Sequence, residues 1–581
     1  MADHIIRRQV PVGMRDGVQL ATDVWLPAEG GPFPTLLQRT PYGRGFASGT
    51  QTNAGMENLR ALEAGFAVVI QDTRGRFDSE GDFEPFAHEA DDGVDALAWI
   101  RDQPFSDGRV ATYGASYVGV TQLLLAQQGP EGHVAMAPFL TAGRIRDGWL
   151  RRGGALQLGF LWLWLIEGLG PPDADHRALG VDHPGRRWLA EAATDPGEAM
   201  RRLPLLTQDA LEAAPYLERW LAGGPDGDRW ASVEPTIGVA RVRARGLHIV
   251  GLNDLFAEGS LQTYRELREG GATSAVRDGQ WLVLGPWAHG NLGDWQGDGW
   301  LGRDASVDSL DLPGLQLDFF RAAMEGRDPD LPRVTYFVTG ENAWHEADAW
   351  PPPGRDVVLH LATDGRLSTD PLRDPGVLRY LADPDDPVPT VGGQTYLPGV
   401  QLGKNSGPKD QREVEARADV LVLRGEPLGE ALTVAGPVRL ELWAQSSAQD
   451  CDWTGRLVDV DPPGCSLGIA DGILRSRHRH GDAREALVPG EAECFVIDLG
   501  HVSHRFAAGH RIGLQVASSN FPRFDRNPQT LVEPHLARPQ DFVIAEQTVH
   551  VGADRASRLL LPVLDLVAET VHETLHETRA T

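Results

Sequence analysis

Cysteine, basic residues and long apolar runs are all scarce in this sequence. Its 581 residues include three cysteines, too few for a disulfide framework, which is typical of a reducing compartment. Lys and Arg number 54 against 82 Asp and Glu, and the formal charge of −28 argues against nucleic acid as the main partner. The most apolar stretch, residues 160–166, is far shorter than the ~20 residues of a membrane helix, and no targeting segment is apparent. We therefore expect a cytoplasmic protein that binds neither nucleic acid nor membrane.

The periodicity of apolar residues changes twice along the chain. Strand-like runs alternate with helical patterns over the first 140 residues, which predicts a largely parallel sheet with helices on both faces. Residues 145–240 show only helical patterns rich in Trp and Leu, and strand patterns then return. After the proline run at 351–353, short alternating strands predict an antiparallel sandwich or jelly roll. The predicted domains are therefore 1–144 with 241–350, an all-helical insertion at 145–240, and a β domain at 351–581.

Residues 114–119 have the sequence context of a nucleophile elbow. They follow an apolar strand pattern and precede a helical one, and an elbow places its serine hydroxyl on such a strand-to-helix turn. Gly119 stands three residues after Ser116, one more than in the strict G-x-S-x-G spacing. The start of the helix would direct the N–H of Tyr117 at a developing oxyanion. The alternative interpretation is a plain tight turn.

A serine nucleophile needs a base, and the base needs an orienting carboxylate. In α/β-hydrolases the chain order is serine, acid, histidine, each on a loop after a strand. Asp254 follows the strand pattern at 247–250, and His289 follows the one at 281–284. Taken singly, Asp254 could be a loop cap and His289 a surface turn residue. Their order and their positions after strands favour a triad with Ser116.

These motifs resemble the cocaine esterase / X-Pro dipeptidyl-peptidase family of serine hydrolases. The matching segments lie at 39–43, 71–76, 89–99, 114–119, 254, 285–290, 471–475, 504–511, 518–522 and 527–528. The resemblance implies that Ser116 is the nucleophile, His289 the base and Asp254 its orienting acid. It also implies that the Tyr42 hydroxyl and the Tyr117 amide form the oxyanion hole. The implied fold is an α/β-hydrolase core with an inserted helical cap and a C-terminal jelly roll.

Aromatic side chains are the candidate lining of the substrate site. Phe256 lies two residues beyond the acid, and the helical insertion offers Trp149, Trp162 and Trp164. Aromatic groups near a nucleophile favour an apolar or aryl acyl group, held by burial rather than by charge. The tryptophans could equally form the core of the insertion.

The sequence therefore predicts a serine hydrolase without cofactor that cleaves small-molecule carboxylic esters through an acyl-enzyme. Esters are the preferred substrate class, because an alcohol leaves without the firm protonation that an amine requires. The alternatives are an X-Pro dipeptidyl-peptidase or an α-amino-acid ester hydrolase or acylase, acting on amide or aminoacyl substrates. A more remote alternative is a non-catalytic protein that binds through its jelly roll. The sequence leaves a homo-oligomer open.

One segment matches a metal-binding motif. Residues 572–576 read H-E-x-x-H, the zinc pattern of metalloproteases, but only five residues follow and none is a histidine that could be a third ligand. We predict no metal site.

Overall fold

The computed structural model describes residues 4–45, 56–222, 235–397, 405–481 and 483–564. The H-E-x-x-H segment at 572–576 lies outside these ranges. Within them, no helix combines the length and apolarity that crossing a membrane would require.

A ten-stranded mixed sheet organises the first 350 residues. The strands of this part of the chain are β1 (His4–Gly13), β2 (Gln19–Pro27), β3 (Phe33–Thr40), β4 (Ala67–Asp72), β5 (Ser106–Ala115), β6 (His133–Phe139), β7 (Arg151–Arg152), β8 (Ala155–Leu156), β9 (Arg245–Gly251), β10 (Gln280–Gly285), β11 (Trp295–Gln296), β12 (Gly299–Trp300), β13 (Val334–Val338) and β14 (Ala343–Ala347). The sheet order is β1-β2-β4-β3-β5-β6-β9-β10-β13-β14. Neighbours from β4 to β13 are parallel, while β1, β2 and β14 add antiparallel edges. The carboxyl ends of the parallel strands therefore meet at one edge of the sheet, where α/β folds carry their sites.

Helices cover both faces of this sheet, as the alternating pattern predicts. The α-helices of the whole chain are α1 (Asn58–Glu63), α2 (Glu89–Arg101), α3 (Tyr117–Ala126), α4 (Leu158–Leu163), α5 (Gly170–His176), α6 (Pro184–Thr194), α7 (Pro196–Arg201), α8 (Gln208–Ala213), α9 (Leu217–Ala222), α10 (Ala257–Gly270), α11 (Ser274–Asp278), α12 (Leu312–Met324) and α13 (Arg412–Glu415). Every residue of α3 is buried, because this helix lies between the sheet and the neighbouring helix α2. The helix that follows Ser116 is thus fixed on all sides.

The chain between β6 and β9 forms the predicted helical insertion. It holds α4 to α9, a kinked turn at Ile145–Leu150, a π-helical turn at Trp164–Leu169, and a 3₁₀ turn at Pro235–Arg241. The structure adds one feature that the sequence pattern does not show, a two-stranded ribbon of β7 and β8. The tryptophans of the described part of this segment pack with Tyr117 and Phe256 of the first part in one apolar core. The insertion is therefore seated on the carboxyl edge of the sheet.

The C-terminal part is all-β apart from short helical turns. Its strands are β15 (Gly354–Leu361), β16 (Leu367–Ser368), β17 (Gly376–Ala382), β18 (Leu421–Arg424), β19 (Leu432–Ser446), β20 (Asp452–Val460), β21 (Ser466–Arg475), β22 (Glu493–Phe506), β23 (Arg511–Ala517), β24 (Ala545–Val551) and β25 (Arg558–Leu564). They form a seven-stranded and a four-stranded sheet around a common apolar core. In β19 buried positions alternate with more exposed ones, as expected of a sheet with one face on a core. The predicted combination of an α/β core, a helical insertion and a C-terminal β domain is confirmed.

Polar contacts join the β domain to the edge of the large sheet near β9. Gln394 donates a hydrogen bond to the backbone oxygen of Leu252 at 2.9 Å. His501 of β22 pairs with Glu258 of α10 at 2.6 Å. The charge of Glu258 raises the pKa of the His501 imidazole against the effect of burial. These contacts bring the segment around Gln394 close to the loop after β9.

Candidate active site

Ser116 lies on a sharp turn between β5 and α3. Its backbone has φ of +59° and ψ of −127°, a conformation that L-residues adopt only when the surrounding structure enforces it. The Ser116 N–H donates to the oxygen of Phe139 at 2.9 Å, and the Thr141 hydroxyl donates to the Ser116 oxygen at 2.8 Å. Ser116 is half-buried. The turn therefore holds its strained residue at the carboxyl end of β5.

Two glycines make this turn sterically feasible. Gly114 has φ of +135°, and a Cβ there would lie 2.2 Å from the side chain of Val118. A Cβ on Gly119 would lie 2.6 Å from the side chain of Thr141. Gly119 thus has a packing role although it stands one position later than in the strict elbow pattern.

We expect Gly119→Ala to lower the free energy of unfolding by about 1–3 kcal/mol, because the new methyl group would force Thr141 out of a close-packed core. Denaturant unfolding of the two proteins measures the difference. Gly180→Ala is the matched control, since a Cβ at this exposed position meets no atom within 4 Å. Equal stabilities of Gly119→Ala and Gly180→Ala would contradict the packing role.

Asp254 and His289 form a direct hydrogen bond between two neighbouring strand ends. Asp254 Oδ2 accepts from His289 Nδ1 at 2.7 Å, and Asp254 Oδ1 accepts from the Phe256 N–H at 2.6 Å. The Asp254 side chain is fully buried, whereas the His289 side chain is 14% exposed. A buried carboxylate on Nδ1 selects the tautomer whose Nε2 carries a lone pair.

The loops that carry this pair are tied to each other. The Asn253 N–H donates to the oxygen of Trp287 at 3.0 Å, and the Asn253 side chain donates to the oxygen of Pro286 at 2.7 Å. The Trp287 indole donates to the oxygen of Ala305 at 2.7 Å. These bonds explain why residues 35 positions apart in sequence meet at a fixed distance.

Tyr42 lies two residues after β3 and contacts Ser116. Its hydroxyl accepts a hydrogen bond from Trp164 Nε1 at 2.9 Å. Burial raises the pKa of the Tyr42 phenol to about 12, while the interactions with Trp164, Ser116 and Arg76 act in the opposite direction. The phenol is therefore a protonated donor at neutral pH, beside the serine hydroxyl.

Tyr117 contributes its backbone to the site and its ring to the core. Its hydroxyl donates to Glu89 at 2.8 Å and accepts from the Phe86 N–H at 2.8 Å, and its ring stacks on Phe86 at 4.5 Å. As the first residue of α3, it has an N–H without an intrahelical acceptor. The packing of the ring fixes the direction of that N–H next to Ser116.

A continuous series of ring contacts runs from Trp164, which is hydrogen-bonded to Tyr42, to His289, which is hydrogen-bonded to Asp254. Trp164 lies 5.2 Å from Trp149, Trp149 stacks on Phe256 at 4.2 Å, and Phe256 meets His289 edge-on at 5.2 Å. Phe160 joins this set by stacking on Trp164 at 5.4 Å. Aromatic rings thus contact both Tyr42, through Trp164, and His289, through Phe256.

Trp162 occupies a different position from the one expected of a substrate contact. Its ring packs edge-on against Trp188 at 6.2 Å and lines a separate cavity of about 270 Å³ in the insertion. The reason is helical geometry, because Trp162 and Trp164 are only two positions apart in consecutive helical residues and therefore point to roughly opposite faces. Of the three tryptophans proposed for the pocket, Trp149 and Trp164 remain candidates and Trp162 belongs to the core of the insertion.

Tyr396 is a site residue that the sequence did not reveal. Its ring meets His289 edge-on at 5.4 Å and Phe160 at 6.2 Å. It comes from the β domain, more than 100 residues after His289, in a stretch without any motif. Only the docking of the β domain beside the loop after β9 brings it to the site.

Comparisons with known proteins show which family this chain belongs to. A family model for X-Pro dipeptidyl-peptidase (S15 family) matches residues 16–291, and one for the X-Pro dipeptidyl-peptidase C-terminal non-catalytic domain matches residues 329–560. Cocaine esterase from Rhodococcus sp. (strain MB1 Bresler) is 34% identical over 97% of this chain and 99% of its own length.

Two solved structures are also similar over 97% of both chains. One is an aminopeptidase from a marine sediment archaeon, Thaumarchaeota archaeon, with a TM-score of 0.81 and 27% identity. The other is an α-amino acid ester hydrolase, with a TM-score of 0.77 and 27% identity. Together with the matched family models, these likenesses extend over both the α/β part and the β domain. The chain therefore belongs to the X-Pro dipeptidyl-peptidase (S15) family and is a serine hydrolase.

Proposed function

We propose that this protein is an esterase that cleaves carboxylic esters with an apolar or aryl acyl group through an acyl-enzyme. The observation that carries the proposal is the hydrogen bond between His289 and Asp254, which follow strands of the same parallel sheet that carries the strained Ser116. The similarity to cocaine esterase along nearly the whole chain supports an ester as the substrate.

In the proposed mechanism Ser116 Oγ attacks the ester carbonyl while His289 Nε2 takes its proton. The Tyr42 hydroxyl and the Tyr117 N–H donate hydrogen bonds to the oxyanion of the tetrahedral intermediate. The imidazolium, stabilised by Asp254, then gives its proton to the leaving alcohol, and an acyl-Ser116 remains. Water attacks this acyl-enzyme by the same route in reverse and frees the acid.

The acyl group would lie against Phe256, Trp149 and Trp164. Trp149 and Phe256 are fully buried and Trp164 nearly so, and no charged side chain takes part in the ring contacts among the three. An aryl group in such surroundings gains from burial and from edge-to-face or offset contacts.

Removing the Tyr42 hydroxyl is expected to lower kcat for an aryl ester by about 10²–10³-fold, the usual loss for one oxyanion donor. Tyr42→Phe keeps the ring, so KM should change much less than kcat. Steady-state kinetics on phenyl acetate or a nitrophenyl ester measures both. Tyr113→Phe is the control, since this buried hydroxyl bonds to Asn58, away from Ser116. A Tyr42→Phe enzyme with full kcat would remove Tyr42 from the oxyanion hole.

A second function is favoured by the two solved relatives. Both an aminopeptidase and an α-amino acid ester hydrolase share the fold over the full chain at 27% identity. A panel of aryl esters, α-amino acid esters and Xaa-Pro anilides separates the two functions. Fast cleavage of anilides or aminoacyl esters with inert aryl esters would replace the first proposal by the second.

We also propose the domain limits 1–144 with 241–350, 145–240 and 351–581. The last strand of the large sheet ends at Ala347 and the first strand of the β sheets begins at Gly354, which supports the second limit. The two packed sheets are compatible with a jelly roll.

Three free cysteines support a cytoplasmic location, where thiols stay reduced. The proposed partner is the small-molecule substrate.

A further inference from the structure

Arg76 is a fully buried arginine whose guanidinium bonds to backbone oxygens. It follows β4, and its Nε donates to the oxygen of Pro41 at 2.8 Å. Nη1 donates to the oxygen of Leu169 at 2.8 Å, and Nη2 donates to that of Gly168 at 3.2 Å. The centre of the Phe83 ring lies 4.4 Å from the guanidinium carbon. The guanidinium therefore joins the loop after β3 to the π-helical turn of the insertion.

The sequence explains why these oxygens take an arginine as their donor. Pro171 and Pro172 follow the π-helical turn and carry no N–H that could donate to the oxygens one turn earlier. Pro41 lies just beyond β3, outside the strand ladder. Buried backbone oxygens are costly to leave unpaired. A guanidinium carries donors on three nitrogens in a fixed plane and can serve both segments at once, whereas the donors of a lysine ammonium share one nitrogen.

One of these segments carries Tyr42 and the other contacts it. Pro41 precedes Tyr42 in the chain, so its bond to Arg76 fixes the peptide that carries the tyrosine. The π-helical turn begins with Trp164, whose indole donates to the Tyr42 hydroxyl at 2.9 Å. A Cβ added to Gly168 would lie 3.7 Å from the Tyr42 ring, so the far end of the turn also lies near this side chain. Arg76 thus joins the backbone of Tyr42 to the turn that holds its hydroxyl.

The charge of Arg76 is not paired with a carboxylate among the described residues. Asp173 acts on Arg76 through its charge, but its ion pair is with Arg177 at 3.0 Å. Arg74 of the same loop, in contrast, pairs with two carboxylates. A carboxylate beside Tyr42 would oppose negative charge on a bound oxyanion, whereas an unpaired guanidinium favours it. The charge of Arg76 accordingly lowers the pKa of the Tyr42 phenol against the effect of burial.

We propose that Arg76 is a positioning residue of the oxyanion hole, which holds the Tyr42 hydroxyl at the place where the oxyanion of the tetrahedral intermediate forms. The inference rests on the proposed role of Tyr42 and deepens it. Because Arg76 acts through Tyr42, its effect on catalysis should require the Tyr42 hydroxyl.

A double-mutant cycle of Arg76→Lys and Tyr42→Phe tests this dependence. Arg76→Lys keeps the charge, but one nitrogen cannot reach all three oxygens. We expect it to lower kcat for phenyl acetate by about tenfold to 10²-fold with a much smaller change in KM, since a misplaced oxyanion donor acts on the transition state. In the Tyr42→Phe protein the same replacement should change kcat by less than about twofold, because the hydroxyl that it positions is absent. Equal losses with and without the hydroxyl would overturn the inference.

Gly168→Ala tests the same contact and leaves the buried charge in place. The new Cβ would lie 3.2 Å from the Trp164 ring, so the turn must shift by a few tenths of an ångström. We expect kcat to fall by about twofold to tenfold, and to stay unchanged when the replacement is made in Tyr42→Phe. Thermal unfolding shows whether Arg76→Lys is folded at the assay temperature. If it is not, the Gly168→Ala cycle decides, and equal losses in both proteins or no loss in either would overturn the inference.

Arg177→Lys is the matched control, because it also removes bonds from an arginine to backbone oxygens of the insertion. Arg177 donates to the oxygens of Glu212 and Ala213 in α8 at 3.3 and 2.6 Å. We expect kcat and KM to stay at their native values, since these bonds join two helices of the insertion to each other. A fall in kcat equal to that of Arg76→Lys would attribute the loss to a loosened insertion and contradict a local role of Arg76.

The outcomes distinguish failure of this inference from failure of the proposed function. If the native protein does not cleave phenyl acetate, the esterase proposal fails, and the cycle is measured with the anilide or aminoacyl ester that it does cleave, because those reactions also form an oxyanion. If Tyr42→Phe alone keeps full kcat, the proposed role of Tyr42 fails and that of Arg76 with it. If Tyr42→Phe is slow and the two losses add, only the present inference fails.

Discussion

Replacing Ser116 by Ala is expected to lower kcat for aryl esters by about 10⁶-fold, as removal of a serine nucleophile does in other serine hydrolases. The reason is that no acyl-enzyme can form without Oγ, while the oxyanion donors and the pocket stay in place. The folded state should be kept, because the Ser116 contacts that hold the turn are made by its backbone N–H and oxygen.

Two measurements check this expectation. Hydrolysis of a nitrophenyl ester gives kcat, and a fluorophosphonate probe reports covalent labelling of the serine. The native protein should be labelled and Ser116→Ala should not. Ser309→Ala is the control, because Ser309 is exposed and its hydroxyl donates to the backbone oxygen of Arg303. Labelling that survives Ser116→Ala would show that another residue is the nucleophile.

Replacing Asp254 by Asn should lower kcat by about 10⁴-fold with little change in structure. The amide oxygen of Asn can keep the bond from the Phe256 N–H, which leaves its NH₂ group facing His289 Nδ1. That nitrogen must then be the acceptor, so the proton moves to Nε2 and the imidazole can no longer take a proton from Ser116. The native carboxylate prevents this by accepting from Nδ1 at 2.7 Å.

The Asp254→Asn enzyme should retain its thermal midpoint, which separates a tautomer effect from unfolding. A slow but complete reaction with the fluorophosphonate probe is also expected, since Ser116 is still present. Asp304→Asn is the control for loss of a carboxylate in an exposed turn near the same loop. Asp254→Asn with native kcat would contradict the role of Asp254 as the orienting acid.

The double replacement of Ser116 and Asp254 should be no slower than Ser116→Ala alone. Residues that act as one unit lose their joint effect when any member is removed, so their separate losses do not add. Additive losses would contradict a shared role of the two residues.

Much of the architecture could be predicted from local patterns. The strand run before Ser116 and the helical run after it appear as β5 and α3, because buried parallel strands and their covering helices carry continuous apolar runs. The helical insertion and the all-β C-terminal part were likewise predictable, because the spacing of apolar residues changes where each begins. The ribbon of β7 and β8 was not, since two-residue strands leave no periodic signal.

Some residues of the candidate site could likewise be predicted from the sequence, and others could not. Ser116, Asp254 and His289 stand after strands in a recognisable order that nominated them, whereas Tyr42 was nominated by the family resemblance. The two-residue spacing of Trp162 and Trp164 indicates opposite helix faces, but the sequence does not show which face meets the site, because that depends on how the insertion packs on the sheet.

The sequence by itself determined the order of elements and the chemistry at their ends, because these depend on residues that are neighbours along the chain. Only the tertiary structure decided that Tyr396 of the β domain lies against His289. This contact follows from the docking of one domain on another, between residues far apart in the chain, and leaves no mark on the local sequence of either.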